Sequence, residues 1–207
     1  MRKKLVITLI GTLLAFTMVV GAASINGDFK GFPIVKVNVN GVEVASEVPA
    51  VNFFGKTVLP VADIAKVFNT VIEWDSTTWT ANLVKPQVDM IFADGTETID
   101  DAEVITNPFR YMHLGNENIF TTYVDVDKLK PGAYEFRILI LAPNGETIGN
   151  SGISRYEVPV GDSSFYWVRE FEDVPFDEAG NYTFQFQIKY NDTFKTVYEK
   201  DMFVVGE

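Results

Sequence analysis

The chain has 207 residues, 47% of them apolar, which is enough for one or two hydrophobic cores. It contains no cysteine, and that excludes a disulfide framework, a thiolate nucleophile, a Cys-ligated zinc and an iron–sulfur centre. With 17 basic and 28 acidic residues the formal charge is −11, and no basic patch beyond the first four residues could hold a phosphate backbone, so no nucleic-acid partner is expected.

Arg2-Lys3-Lys4 precedes an uncharged apolar run from Leu5 to Val20 and the small residues Gly21-Ala22-Ala23-Ser24. This is the layout of an export signal, with cleavage expected after Ala23. The run almost reaches the length that spans a bilayer, so retention as an anchor is the alternative. No cysteine follows it, which excludes a lipoprotein anchor, and no membrane association is expected beyond this signal. Residues 24–32 carry two glycines and read as a flexible lead, with order beginning near Pro33.

Residues 33–85 read as a small α+β module. Val35, Val37 and Val39 alternate with polar residues, Asn40-Gly41 is a strong hairpin signal, and Val42-Glu43-Val44 is the return strand. Thr57-Val58-Leu59 is a short strand, and Pro60 sits where a helix can begin. Val61, Ile64, Ala65 and Phe68 then recur at helical spacing, and Asn69 closes the helix by tolerating a left-handed conformation. Val71–Trp74 and Trp79–Leu83 are two strands joined by Asp75-Ser76-Thr77-Thr78. Trp74 and Trp79 more often close a small core in such a setting; the alternative is that they stack on a sugar.

Val35, Val37, Asn40-Gly41, Val48-Pro49-Ala50, Leu59-Pro60, Ile64-Ala65 and Glu73-Trp74-Asp75 follow one another in an order that resembles the copper amine oxidase N-terminal-like domain. That domain is a stalk module of secreted proteins of Gram-positive bacteria, and the resemblance covers roughly residues 30–84. Two positions depart from it: Ala62 stands where the family usually has Arg, and Asn69 where it has Gly. The resemblance implies a module, not an activity. Amine oxidases bind copper through three histidines, and this chain has one, so oxidase chemistry is excluded by count.

From Pro86 the helical period disappears. Strand-like runs follow at Val88–Phe92, Ala102–Thr106, Tyr111–Leu114, Ile119–Val126, Tyr134–Leu141, Tyr156–Val160, Phe165–Phe171, Tyr182–Tyr190 and Thr196–Val205. Turn residues punctuate them at Asp94-Gly95, Pro131-Gly132, Asn144-Gly145 and Ala179-Gly180-Asn181. Residues 86–207 therefore read as an all-β antiparallel sandwich. Tyr134 and Tyr182 each open a strand two residues after a glycine, which resembles the tyrosine corner of immunoglobulin-like and fibronectin-like domains in architecture only; Tyr182 is the expected corner, and for Tyr134 the alternative is a tyrosine that merely starts a strand after a glycine turn.

Chemistry is sparsely marked. The single histidine, His113, has no G-x-S-x-G serine to serve, and Ser151 and Ser154 lie in a loop without a recognisable elbow. Asp100-Asp101, Asp125 with Asp127, and Asp173 with Asp177 and Glu178 could hold calcium or serve a glycosidase, but they lack the EF-hand spacing and read mainly as solvated loop acids. No catalytic residue, metal site or cofactor is expected. The ligand-binding candidates are Phe165, Trp167 and Arg169, an aromatic platform if exposed and a core tryptophan with Arg at its rim if not.

The expectation is a secreted or cell-envelope-associated, non-enzymatic protein of a Gram-positive bacterium. It would serve adhesion, spacing or ligand presentation, with a protein or cell-wall glycan partner. The alternative is a carbohydrate-binding module for cell-wall or environmental polysaccharide. Exposed sandwich edges can pair between chains, which leaves self-association open.

Overall fold

The computed structural model describes residues 25–114 and 119–206; the expected export signal and Ser24 lie outside them. The chain is mostly β, with one seven-residue helix among the described residues, and it divides into two compact units that part after Val67. The sequence places its module boundary near Lys85–Pro86. In the structure the hairpin over residues 71–84 goes with the second unit.

The first unit contains β1 (Asp28–Phe29), β2 (Phe32–Val35), β3 (Asn38–Val39), β4 (Val42–Glu43), β5 (Ala50–Phe53), β6 (Lys56–Val58) and α1 (Val61–Val67). Where a flexible lead is expected, β1 and β2 pair through a turn at Lys30-Gly31, with φ of 50° and 84°. Asn40-Gly41 turns between β3 and β4 as expected, with φ of 52° and 83°, and Phe54-Gly55 repeats the device between β5 and β6. Two successive positive φ angles match the twist of a hairpin, and Gly or Asn adopts them at least cost. β1, β2, β5 and β6 form a four-stranded sheet in that order. In α1 only Ala65 is buried, and Asn69 takes a left-handed φ of 49° just beyond it.

The second unit opens with the hairpin β7 (Val71–Asp75) and β8 (Thr80–Val84), then forms a sandwich. One sheet has β9 (Gln87–Ile99), β10 (Ala102–Phe109), β12 (Phe120–Asp127) and β16 (Phe165–Phe171), in the order β10-β9-β12-β16. The other holds β11 (Tyr111–His113), β13 (Gly132–Leu141), β14 (Thr147–Asn150), β15 (Ser154–Val158), β17 (Gly180–Tyr190) and β18 (Thr193–Val205). Its order is β11-β18-β17-β13, and both β14 and β15 pair with the far side of β13. All pairings are antiparallel except β11 with β18, which is parallel. This is an immunoglobulin-like β-sandwich.

The strand at Val88–Phe92 is longer than the sequence suggests. Asp94-Gly95 does not turn; the reversal lies at Asp100-Asp101, where φ is 50° and 62°. β14 also has no counterpart in the sequence reading, because its four residues carry too little periodicity.

Period-two alternation builds the core. Tyr182, Phe184, Phe186 and Ile188 of β17 face Phe136, Ile138 and Ile140 of β13 on one side of their sheet, and all seven are buried. From the other sheet come Met90, Phe92, Phe120, Val124 and Val126. Phe92 meets Phe184 at 4.7 Å between ring centroids, and Phe120 stacks on Phe171 at 5.4 Å. Each such ring contributes about 1.5–3 kcal/mol by leaving water. Two buried hydroxyls are satisfied by backbone, since Thr122 Oγ1 donates to Arg169 O at 3.2 Å and Ser151 Oγ accepts from Ile138 N at 2.8 Å, whereas the buried Tyr190 hydroxyl has no hydrogen-bond partner among the described residues.

The expected corner at Tyr182 forms, and Tyr134, for which a plain strand start is the alternative, makes a similar bond. Tyr182 Oη donates to Glu178 O at 2.9 Å and accepts from Glu178 N at 3.2 Å; Tyr134 Oη donates to Lys130 O at 2.9 Å. Each ties the start of a strand to backbone four residues upstream.

Candidate functional site

The outer face of the second sheet is a run of cross-strand side-chain bonds. Thr183 bonds Asp201 at 2.8 Å, Gln185 bonds Glu199 at 2.8 Å, Arg137 donates to Gln187 at 2.9 Å, and Lys189 donates to Glu135 at 2.9 Å. Arg155 also pairs with Glu135, at 2.6 Å. The two cations, Lys189 first, hold the Glu135 carboxyl below the usual carboxylate range.

This ladder stops at the β11 end of the sheet. There Tyr111, Phe203 and Asn181 stand in one row, as direct partners across β11, β18 and β17. Met202 and Val204 on either side of Phe203 are buried, so the row points outward. Tyr111 is 59% exposed and Phe203 48%. Together with Arg110, His113 and Asp201 they line an open depression of about 650 Å³. His113 meets Tyr111 edge-on at 5.8 Å, and among the described residues no hydrogen bond or ion pair joins it to a serine or a carboxylate. Arg110 and Asn181 have no side-chain partner among the described residues, while Asp201 Oδ1 accepts the Thr183 hydroxyl.

A second surface lies on the outer face of the first sheet. Ile91, Tyr123 and Val168 form one row, and Asp89, Asp125 and Tyr166 the next. Tyr123 stacks on Tyr166 at 5.6 Å. Asp89 and Asp125 are directly opposed like charges, an arrangement that costs stability in a sheet. Partial burial, then Asp127 and Asp89, push the Asp125 carboxyl above its ordinary range.

The sequence-derived candidates do not share an exposed face. Phe165 is buried against Phe136 at 4.8 Å and Tyr156 at 4.9 Å, and half-buried Trp167 meets Phe136 edge-on at 5.1 Å. Arg169 is exposed. β16 instead sends Tyr166, Val168 and Glu170 outward, because alternation along the strand turns Phe165, Trp167 and Phe171 to the core, with Arg169 exposed on that same side. Trp74 and Trp79 correct a second expectation. They do not close a core: they are 58% and 82% exposed and pack edge-on against each other at 6.0 Å. Val71 takes the buried side of their hairpin, so alternation sends Trp74 the other way.

The groups considered for catalysis are occupied with structure. Ser151 Oγ donates to Gly152 O at 2.9 Å besides accepting from Ile138 N. Asp100 and Asp101 make a turn, and Glu178 supplies backbone to the Tyr182 corner. Burial, then Tyr134 and Glu73, pushes the Tyr190 hydroxyl up to about 12. In the first unit a groove of about 620 Å³ is lined by Val35, Val37, Leu59 and Ile64, and the Asp63 carboxylate at its wall is 2.5 Å from Ser46 Oγ. Among the described residues no three acids or histidines gather where they could hold a metal ion.

No family model matches the chain, and no curated protein does. Among solved structures, it is similar to an immunoglobulin-like protein from Pseudomonas aeruginosa, at 13% identity over 59% of this chain and 98% of the other, with a TM-score of 0.33. It is also similar to a β-glucosidase from Listeria innocua, in its complexes with isofagomine and with glucose. Identities there are 9% and 8%, the TM-scores are 0.34 and 0.33, and 89% and 88% of this chain is covered. The chain spans 22% of the glucosidase's length.

Proposed function

We propose that the chain is a non-catalytic binding and scaffold protein that works outside the cell, at or near the surface of a Gram-positive bacterium. The observation that carries this reading is the face of the second sheet. Its side chains are bonded to one another, and it ends in an open depression instead of a cleft that pairs a nucleophile with a base. The charged start and apolar run of residues 2–20 support export, and the stalk-like pattern over residues 30–84 supports a spacing role. A second reading, a carbohydrate-binding module, is favoured by the exposed Tyr111 and Phe203 in that depression.

The test is expression in a Gram-positive host, followed by fractionation and intact-mass measurement. Export with loss of the first 23 residues, adherence of purified protein to whole cells, and no turnover of ester or glycoside substrates are expected. Retention in the cytoplasm would refute the reading, as would turnover abolished by His113→Ala.

A further inference from the structure

We propose that the depression at the β11 end of the second sheet is a binding site for neutral saccharides, with a pyranose ring lying on Tyr111 and Phe203. This deepens the binding-protein reading and rests on it. The row Tyr111–Phe203–Asn181 crosses three adjacent strands whose backbones are about 4.8 Å apart, so the two aromatic residues are direct neighbours across one strand pair, with an amide at the end of the row. A pyranose has the matching form: one flat face of C–H groups bounded by hydroxyls. The C–H face covers aromatic area that is otherwise in water, and the hydroxyls meet the side chains of Arg110 and Asn181, which have no partner among the described residues, and Asp201, whose Oδ1 already accepts from Thr183.

Those groups are complementary to hydroxyls in particular. Arg110 offers only donors, Asp201 only acceptors, and Asn181 both. A hydroxyl both donates and accepts, so one ring can use all three, whereas an apolar ligand would leave Arg110 and Asn181 unpaired. The two formal charges in the depression, Arg110 and Asp201, oppose each other on a chain whose formal charge is −11. A polyanion would be repelled by the surrounding field, and a basic peptide would meet Arg110. An uncharged ligand meets neither penalty. The volume, about 650 Å³, lies within the range that holds small ligands, roughly 300–1,000 Å³. Its open form suits a chain of sugars passing across it.

The decisive experiment is amide-resolved NMR titration of the full chain with cellohexaose, xylohexaose and chitohexaose as neutral probes. Oligogalacturonate and decalysine provide acidic and basic arms. At least one neutral probe should shift the amides of residues 110–113, 181 and 201–205, and the charged probes should not. Tyr111→Ala should weaken that binding by about tenfold or more, as expected for an aromatic anchor. Tyr111→Phe should retain it, and Asn181→Ala should weaken it. Trp79→Ala and Tyr166→Ala, on other surfaces, should leave it unchanged. Because Tyr111 and Asn181 are exposed, the spectra of the free variants verify that each is folded. The proposal is overturned if no neutral probe shifts these amides, if Tyr111→Ala binds as well as the parent, if binding is lost with Trp79 instead, or if a charged probe occupies the depression in preference. Adherence to whole cells, measured separately, decides the broader binding-protein reading whatever the titration gives.

Discussion

Replacing Tyr182 by Phe isolates the contribution of the corner at the start of β17. The ring is 1% exposed and packs against Phe176 at 4.8 Å, so the substitution keeps the packing and removes only the hydroxyl. Two hydrogen bonds are lost, one to Glu178 O and one from Glu178 N. At about 1 kcal/mol net for each, the loss is about 2 kcal/mol. For a chain of this size that corresponds to a fall in Tm of roughly 4–8 °C. The assay is urea and thermal unfolding followed by circular dichroism, with Tyr134→Phe and Tyr166→Phe in parallel. Tyr134 has one such bond and is less buried, so its loss should stay near about 1 kcal/mol; Tyr166 is exposed and makes none, and should be silent. If Tyr182→Phe matched Tyr166→Phe within about 0.5 kcal/mol, the corner would not be holding the strand in place.

Gly180→Ala should destabilise the sandwich more than the usual glycine substitution. A Cβ at that position would come within 2.8 Å of Pro143 Cγ, and the backbone has a φ of 154° that side chains disfavour. Chemical denaturation should register the loss, and a neutral result would mean the Pro143 loop yields freely. Asp125 and Glu135 should shape pH dependence with opposite signs. Asp125 has a raised folded pKa, so its contribution is fully present below the unfolded value and is lost as pH rises through the folded one. Asp125→Asn should therefore be more stable than the parent near neutrality, with the gap closing on acidification; a gap independent of pH would contradict the assignment. Glu135 has a lowered folded pKa, so its contribution is present above the unfolded value and is lost as pH falls through the folded one. Glu135→Gln should remove that part of the acid sensitivity in the same unfolding series.

Features governed by neighbouring residues were legible in the chain. The alternation of Tyr182 to Ile188 predicts a half-buried strand and its inner face, Gly180 before Tyr182 points to the corner, and Asn40-Gly41 locates a hairpin. Features governed by distant partners were not. Asp94-Gly95 has turn chemistry, yet the ladder with β10 overrides it and carries the strand on to Ile99. Tryptophan size suggests burial for Trp74 and Trp79, but Val71 decides which side of that hairpin is covered. The depression joins Arg110 and Tyr111 to Asn181 and Phe203 through a parallel pairing of three residues, and nothing local to either segment announces it. Phe165-Tyr166-Trp167 are three successive aromatics, and Phe165 and Trp167 among them pack on Phe136 of the facing sheet.

The strand β18 lies between β11 and β17, and it brings Val197, Met202 and Val204 to the core. A ribosome making this chain must therefore reach Val205 before the sandwich can close: until then β17 is an open edge and the aromatic interior is uncovered on one side. Premature release within β18 would leave the second unit with its interior uncovered at that edge, so proteolytic or translational losses at that end should make the fragment prone to aggregate.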